Sequence, residues 1–445
     1  MLIDQLQEVH KKQNISVPFS ELEKILEECY EIRFKERITN KENLLLNETP
    51  EAIMQYVFDY YVEKNSLTIS TSEWREIGDQ IKNNSYFKNK KVTCVAPYNT
   101  FRFDFGGKLS VCCQNTAHLL GTYPSTSLHD AWFGSTIKTL REKLAKYDFT
   151  FGCTTCARHI LAGNARNSIL GQYAATMSEI DPVFPTRLIF QLHNTCNYAC
   201  IMCSEEYSST IHKLRGSTTP CKNVYDDQFV ADIVPFLKHA KKAEFIGGEP
   251  FLIPIYFKLW DKIKEINPNM TIDVITNGSV FNDKVERVMK DLPYMFAHIS
   301  LDSLDPKTYA YVRRGGSIDN VLVNIDKMFA VKKGHSISMS PIIQTVYELP
   351  DIVNFCDGYS ADLRISNVVS LISGPEGMYK GLYENGIADN KHKSVFTEEP
   401  IKEFRLKTLS KKEKLKIKYF LLSKSYPKRY REVVNGFINF LMNYN

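Results

Sequence analysis

The spacing of apolar residues changes along this chain, and the changes divide it. Between residues 20 and 32, Leu22, Ile25, Leu26, Cys29 and Ile32 recur at three- and four-residue intervals, which puts them on one helical face. Ser20-Glu21-Leu22-Glu23 ahead of them is a capping box, whose hydroxyl and carboxylate satisfy end N–H groups. Thr49-Pro50 opens a second expected helix, with Ile53, Tyr56, Val57 and Tyr60 as its apolar face. Residues 1–90 are therefore expected to be helical, with a packing or partner-docking role, and Cys29 to be a core residue.

Residues 94–113 switch to period two. Phe101, Phe103 and Phe105 alternate with Arg102 and Asp104, Gly106-Gly107 supplies a turn, and Leu109 and Val111 alternate with Lys108 and Ser110. This pattern predicts a β-hairpin. A helix over 136–147 follows. From residue 187 strands and helices alternate. Strands are expected at 187–192, 242–246, 271–276, 297–301, 338–345 and 363–367, and helices at 256–266, 283–290 and 318–331. Six strands joined by crossover-length connections imply an α/β fold with a parallel sheet. No GxGxxG follows a strand, so a barrel, complete or open, fits better than a nucleotide-binding doubly wound sheet. Residues 376–445 read as loops and helices.

Composition bounds the class. With 43% hydrophobic and 24% charged residues, a disordered or collagenous chain is excluded, and 445 residues suit two or three domains. No run of about 18 apolar residues exists to span a membrane. Met1-Leu2-Ile3-Asp4-Gln5 lacks the basic start and apolar stretch of a signal peptide, so the chain is read as cytoplasmic. The net charge of +5 is uneven: residues 401–431 carry +10, which leaves the rest at −5. This basic arm is read as a solvated helix face, or as a docking site for an acidic partner. It is the sole support for RNA modification, and no nucleic-acid partner is expected.

Eleven cysteines are the informative count, because clustered cysteines in a reducing compartment are more often metal ligands than disulfides. Cys196, Cys200 and Cys203 stand in a C-x3-C-x2-C run at the end of the first barrel strand. Three such thiolates can take three irons of a cubane and leave the fourth open to substrate. A zinc site borrowing a distant fourth ligand is the alternative. Polar, glycine-rich segments stand at the other strand ends, where parallel barrels place their chemistry: Gly247-Gly248-Glu249-Pro250, Thr276-Asn277-Gly278, Ser300-Leu301-Asp302 and Gln344-Thr345. A zinc clip has no need of them.

C-x3-C-x2-C followed by a Gly-Gly-Glu loop resembles the radical S-adenosylmethionine (radical SAM) superfamily. The resemblance covers residues 187 to about 370. It implies a partial (β/α)6 barrel, with Cys196, Cys200 and Cys203 on a 4Fe–4S cluster and the amino and carboxylate groups of S-adenosylmethionine on the open iron. It further implies Gly247, Gly248 and Glu249 along the methionine amino group, Ser300 near the ribose and Met202 beside the adenine. Arg313 or Arg314 would hold the cofactor carboxylate; a solvated helix end is the other reading of that pair. The implied chemistry is reductive cleavage of the cofactor to a 5′-deoxyadenosyl radical that abstracts hydrogen. Its electron would come from a flavodoxin or ferredoxin.

A second cysteine group lies upstream: Cys94 and Cys112 in a C-x12-G-x4-C run, then Cys153-x2-Cys156. Four thiolates make a closed tetrahedral set, which a zinc ribbon fits almost as well as a cluster. Beside a radical SAM core the run resembles the twitch or SPASM auxiliary domain, which implies a second 4Fe–4S cluster near the substrate. Here the segment precedes the barrel and has five cysteines against seven in the full pattern, so one auxiliary cluster is expected. Cys113, next to Cys112, is taken as a spare thiol on the opposite strand face. The expected domains are 1–90 (helical), 91–165 (auxiliary), 186–375 (partial barrel) and 376–445 (helical, basic). Among other residues, Cys221 is read as an ordinary loop cysteine, Cys356 as core and His193 and Asn194 as structural neighbours of the cluster loop.

The auxiliary domain points to oxidation or cross-linking of a peptide or protein side chain. Helices in 1–90, where many peptide-modifying relatives carry a winged-helix module, keep an alternative close: dehydrogenation or epimerisation of a sugar, cyclitol or antibiotic precursor. The intact cysteine and Gly-Gly-Glu sets count against a non-catalytic interaction module.

Overall fold

A computed structural model describes residues 94–153, 155–157, 183–214, 223–365 and 409–443, with isolated positions at 7–8, 78–79, 173 and 216. The helices expected in 1–90, Cys29, Cys221 and residues 376–408 lie outside the described residues. The chain forms two compact units: Met1–Val95 with Cys113–His118 and Lys138–Ser178, and Ala96–Cys112 with Leu119–Ile137 and Glu179–Asn445.

The second unit holds a nine-stranded sheet. Its strands are β1 (Thr100–Phe103), β2 (Lys108–Ser110), β3 (Gly121–Thr122), β4 (Arg187–Phe190), β5 (Lys242–Phe245), β6 (Thr271–Thr276), β7 (Met295–Ser300), β8 (Ser336–Met339) and β9 (Asp362–Ile365). Their order is β3-β2-β1-β4-β5-β6-β7-β8-β9. β1 to β3 pair antiparallel, and every other pairing is parallel. The fifth expected strand ends at Met339, not at 345. Pro341 has no N–H for a ladder, and the chain instead turns, with Val346 N–H donating to Ile342 O at 2.8 Å.

Strands that follow one another in both sequence and space, joined by right-handed crossovers, place all their helices on one face. These helices are α1 (Pro254–Ile266), α2 (Asp283–Asp291), α3 (Pro306–Val312), α4 (Ile318–Val331) and α5 (Leu349–Gly358). The strand pleat matches this arrangement. Phe103, Phe190 and Phe245 stack in turn across β1, β4 and β5, with ring centroids 5.2 and 4.9 Å apart. Phe245 then meets Tyr256 and Trp260 of α1 at 5.0 and 5.3 Å. The intervening residues point to the face without helices, where ion pairs share the surface with Ile189, Ile275 and Phe296. Arg187 pairs with Glu244 at 2.7 Å, Lys242 with Asp273 at 2.6 Å, and His298 with Asp273 at 3.0 Å. His298 Nδ1 lies 2.5 Å from the Ser336 hydroxyl. Burial disfavours the Asp273 carboxylate, but His298 and Lys242 outweigh it and hold its pKa well below the usual range. With helices on one face and ion pairs on the other, this largely parallel sheet is consistent with a partial barrel whose helix-free face is the lumen.

The hairpin expected within a separate auxiliary domain does form, but it joins this sheet. β1 lies parallel to β4 in the register Phe101↔Leu188 and Phe103↔Phe190. The pleat explains it: Phe101 and Phe103 complete the helix-side core, while Arg102, on the other face, reaches Gln191 and Asp104. Otherwise β4 would expose an unpaired edge. Gly106 (φ 68°) and Gly107 (φ 86°) make the turn.

The basic arm folds into α6 (Lys411–Leu422) and α7 (Lys428–Asn443). Ile417, Leu421, Val434 and Phe437 are buried, while Lys411, Lys412 and Lys416 face solvent. The Tyr430 hydroxyl donates to Ala361 O at 2.8 Å and Arg429 Nη2 to Ser360 O at 2.9 Å, which ties α7 to the start of β9. Much of the run is thus the outer face of a packed helix pair. Among the described residues no helix is long and apolar enough to cross a membrane.

Candidate functional site

Parallel pairing brings the C-terminal ends of β4 to β8 to one end of the lumen, and the loop after β4 carries Cys196, Cys200 and Cys203. Three neighbours fix this loop. The first turn of the next helix binds it from one side: Ser209 Oγ accepts from Cys196 N–H at 3.1 Å, Thr210 Oγ1 donates to Cys196 O at 2.7 Å, and Ser208 Oγ donates to Tyr198 O at 2.6 Å. The segment after α3 lies along it as a second strand would: Ala199 N–H donates to Arg314 O at 2.8 Å and Ile201 N–H to Val312 O at 3.0 Å. The loop after β5 closes the third side, with Glu249 N–H donating to Thr195 O at 2.7 Å and Gly248 N–H to His193 O at 3.2 Å.

Glycine is required at these contacts. A Cβ at Gly248 would sit 2.0 Å from Thr195 O, and one at Gly247, where φ is 116°, 2.7 Å from His193 O. A Cβ at Gly316 would enter the Tyr198 ring at 2.7 Å. At Gly247 and Gly248 backbone meets backbone, so no side chain can be accommodated there.

Glu249 is fully buried and ties two strand ends together. Its carboxylate accepts from Phe251 N–H at 3.2 Å, from the Thr276 hydroxyl at 2.8 Å and from Asn277 N–H at 2.7 Å. Burial pushes its pKa up to about 7, against the pull of those bonds and of Arg313. Asn277 Nδ2 in turn donates to Asn197 Oδ1 on the cysteine loop at 3.0 Å. Ser300 ends β7 and accepts from the Ser338 hydroxyl at 3.4 Å. Met202 packs with Tyr198, Ile201, Val312 and Ile342 in a small apolar cluster against which Cys196 and Cys203 rest. Half-buried His193, its pKa lowered by burial, holds the Thr195 hydroxyl at 2.6 Å, a structural contact. Asn194 is buried and donates to Glu205 O at 3.3 Å. Cys356 is fully buried in α5.

Neither Arg313 nor Arg314 is a solvated helix end. Arg314 is 1% exposed, with its guanidinium 5.6 Å from the Tyr311 ring centre. Arg313 binds Asp302 through Nε at 2.7 Å and Nη2 at 2.6 Å. Its Nη1 stands 4.0 Å from Cys200 Sγ. Asp302 is fully buried and also accepts from Ser340 N–H at 2.7 Å. Sequence reasoning had placed Asp302 at a strand end without a task. The signal for its pairing, an arginine eleven residues on across a whole helix, has no local periodicity to announce it.

Burial and the neighbouring Cys200 push the Cys196 thiol up to about 12; burial raises Cys200 and Cys203 as well, and Cys203 is raised further by the other two thiols. A cationic metal centre beside them would favour the thiolates that burial disfavours. Among the described residues no three His, Cys, Asp or Glu side chains form a group able to hold one metal ion. The three thiols stand within eight residues of one loop, a spacing that can offer each thiolate to a separate iron of a cubane.

The upstream cysteines are arranged differently. Cys94, Cys153 and Cys156 belong to the first unit and Cys112 to the second. In the first unit Asn115 Nδ2 donates to Phe151 O at 2.9 Å and lies 3.8 Å from Cys153 Sγ, while His118 stacks on Phe151 at 3.7 Å. Cys156 is buried and Cys113 exposed. β2 ends at Ser110, so Cys112 and Cys113 follow the strand rather than alternate along it.

The curated relatives that match include GTP 3′,8-cyclase of Clostridium botulinum, 29% identical over 43% of this chain and 57% of the relative. Probable GTP 3′,8-cyclase of Methanococcus maripaludis is 28% identical over 40% and 56%. The chain thus spans little more than half the length of these relatives. Similar solved structures include native anSMEcpe with bound AdoMet, at 16% identity and TM-score 0.35 over 45% of this chain and 59% of that one. Another is Streptococcus suis SuiB bound to precursor peptide SuiA, at 17% identity and TM-score 0.36 over 53% and 50%. The family model of the radical SAM superfamily matches residues 190–356, from the last residue of β4 into α5. The cysteine loop and the Gly-Gly-Glu loop both lie inside that match.

Proposed function

We propose that this chain is a radical SAM enzyme whose Cys196, Cys200 and Cys203 hold a 4Fe–4S cluster. The observation that carries the reading is the cysteine loop itself, pinned on three sides inside the matched segment, with crowded thiols that suit a cluster. When bound, the cluster and S-adenosylmethionine together supply a 5′-deoxyadenosyl radical that takes hydrogen from the substrate. The protein's own residues bind and orient. Gly247 and Gly248 let the loop after β5 close against the cysteine loop beside the methionine amino group, Glu249 keeps the ends of β5 and β6 together there, and Ser300 offers a hydroxyl to a ribose. Met202 and its apolar neighbours exclude water beside the thiols.

For the substrate, a small polar molecule is the better-supported reading. The lumen below the loops carries charged and hydroxyl side chains, Lys242, Asp273, His298, Ser300 and Ser338 among them, and the curated relatives bear the name of an enzyme acting on GTP. Oxidation or cross-linking of a peptide side chain rests on an auxiliary cluster held by Cys94, Cys112, Cys153 and Cys156, and is the second reading. Anaerobic reconstitution followed by reduction with S-adenosylmethionine tests the core of the proposal. 5′-Deoxyadenosine is the expected product, and its absence from protein that holds its iron would overturn it.

A further inference from the structure

The guanidinium of Arg313 is an unexpected neighbour for a thiol. It is sealed in by Asp302, which has no exposure of its own, and the two side chains meet through the Nε–Nη2 edge. That edge is the fork with which arginine grips a carboxylate two bonds at a time. It is occupied by a carboxylate of this chain. What remains is Nη1, and Nη1 faces Cys200 Sγ at 4.0 Å. The backbone adds a second link, since Ala199 and Ile201, on either side of Cys200, donate to Arg314 O and Val312 O, on either side of Arg313. Arg313 is thus fixed to the cysteine loop by main chain and held at one of its sulfurs by side chain.

A fixed cation beside a cluster ligand stabilises the more negative, reduced state of the cluster; a fixed anion behind it offsets that effect. Hydrogen bonds and charge near the sulfurs are among the terms that set such potentials. We propose that Arg313 and Asp302 are a tuning pair, which acts through Cys200 Sγ to set the reduction potential of the cluster. Arg313 is then a positioning residue, and the carboxylate of S-adenosylmethionine is held elsewhere. This inference rests on the cluster assignment made above.

The test is a reductive titration of the reconstituted protein, followed by the spectroscopic signal of the reduced cluster. Arg313→Gln removes the cation, and the reduced-to-oxidised ratio at a fixed poise should fall about tenfold, equal to about 59 mV for one electron. Asp302→Asn removes the opposing anion, and the ratio should rise. The double variant should return close to the parent, which also covers the chance that a single buried charge left unpaired impairs folding. A role confined to packing would not give shifts of opposite sign. Loaded variants with unchanged potentials but greatly weakened S-adenosylmethionine binding to Arg313→Gln would overturn the inference and return Arg313 to the cofactor carboxylate. A parent that takes up no iron under reconstitution would overturn the underlying cluster reading, and this inference with it.

Discussion

Two cysteine sets read almost alike in the sequence and are built very differently. Cys196, Cys200 and Cys203 occupy eight residues of one loop, within one compact unit, and hydrogen bonds to three other segments hold that loop. The upstream cysteines are spread over sixty-three residues, and the boundary between the two compact units passes through them. The hairpin expected to carry two of them is a part of the barrel sheet. Close spacing on one chain segment makes a site that local structure can enforce. Distant spacing makes one that depends on how separate pieces are held. The first kind can be judged from this fold; the second has to be judged by its metal.

The largest effect should come from the cysteine loop. Cys200→Ala removes a ligand whose sulfur lies beside both other thiols and Arg313, and 5′-deoxyadenosine formation should drop to background. Retained cleavage would break the comparison at its stronger end.

Next comes iron. If both sets hold clusters, the reconstituted parent should carry about eight irons, and Cys153→Ala about four with 5′-deoxyadenosine formation retained. A parent with about four irons, unchanged by Cys153→Ala, would leave the upstream cysteines a structural role.

Smaller, but measurable without metal, is the glycine contrast. Gly248→Ala forces a Cβ to within 2.0 Å of Thr195 O, while an added Cβ at Gly106 has nothing within 4 Å. Urea unfolding should show a loss of ~3 kcal/mol for Gly248→Ala. For Gly106→Ala only the left-handed backbone is penalised, by ~1 kcal/mol. Equal losses would mean that the third wall of the loop is not packed as described.

The finest effect is on pH. Burial raises the folded-state pKa of Glu249 from the ordinary carboxylate range to about 7, so the native state holds the proton more firmly than the unfolded chain does. Its contribution to stability is full below about pH 4.5 and is lost as pH rises through 7, with a slope of at most about 1.4 kcal/mol per pH unit. Urea midpoints between pH 5 and 7.5 should fall for the parent, and Glu249→Gln should remove that part of the fall. An unaltered slope would show that Asn277, Thr276 and Phe251 hold the carboxylate ionised throughout.

The sequence by itself determined the alternation of strands and helices from residue 187, five of the six strand positions to within a few residues, and the cysteine and Gly-Gly-Glu loops that mark the site. These are local properties. Apolar period follows from which face of an element is covered, and thiol spacing within a loop is a matter of chain geometry. Even the fifth strand carried its own stop signal at Pro341. Tertiary structure alone decided the rest. Nothing in Thr100–Phe103 says that β1 will lie beside β4, because the pleat of a hairpin suits an isolated ribbon and a sheet edge equally. Nothing near Arg313 says that its partner will be Asp302 and its neighbour Cys200, because that meeting requires β7 and α3 to be placed first. Long-range pairings are chosen by what each surface can bury once the sheet has curled, and a linear pattern does not contain that choice.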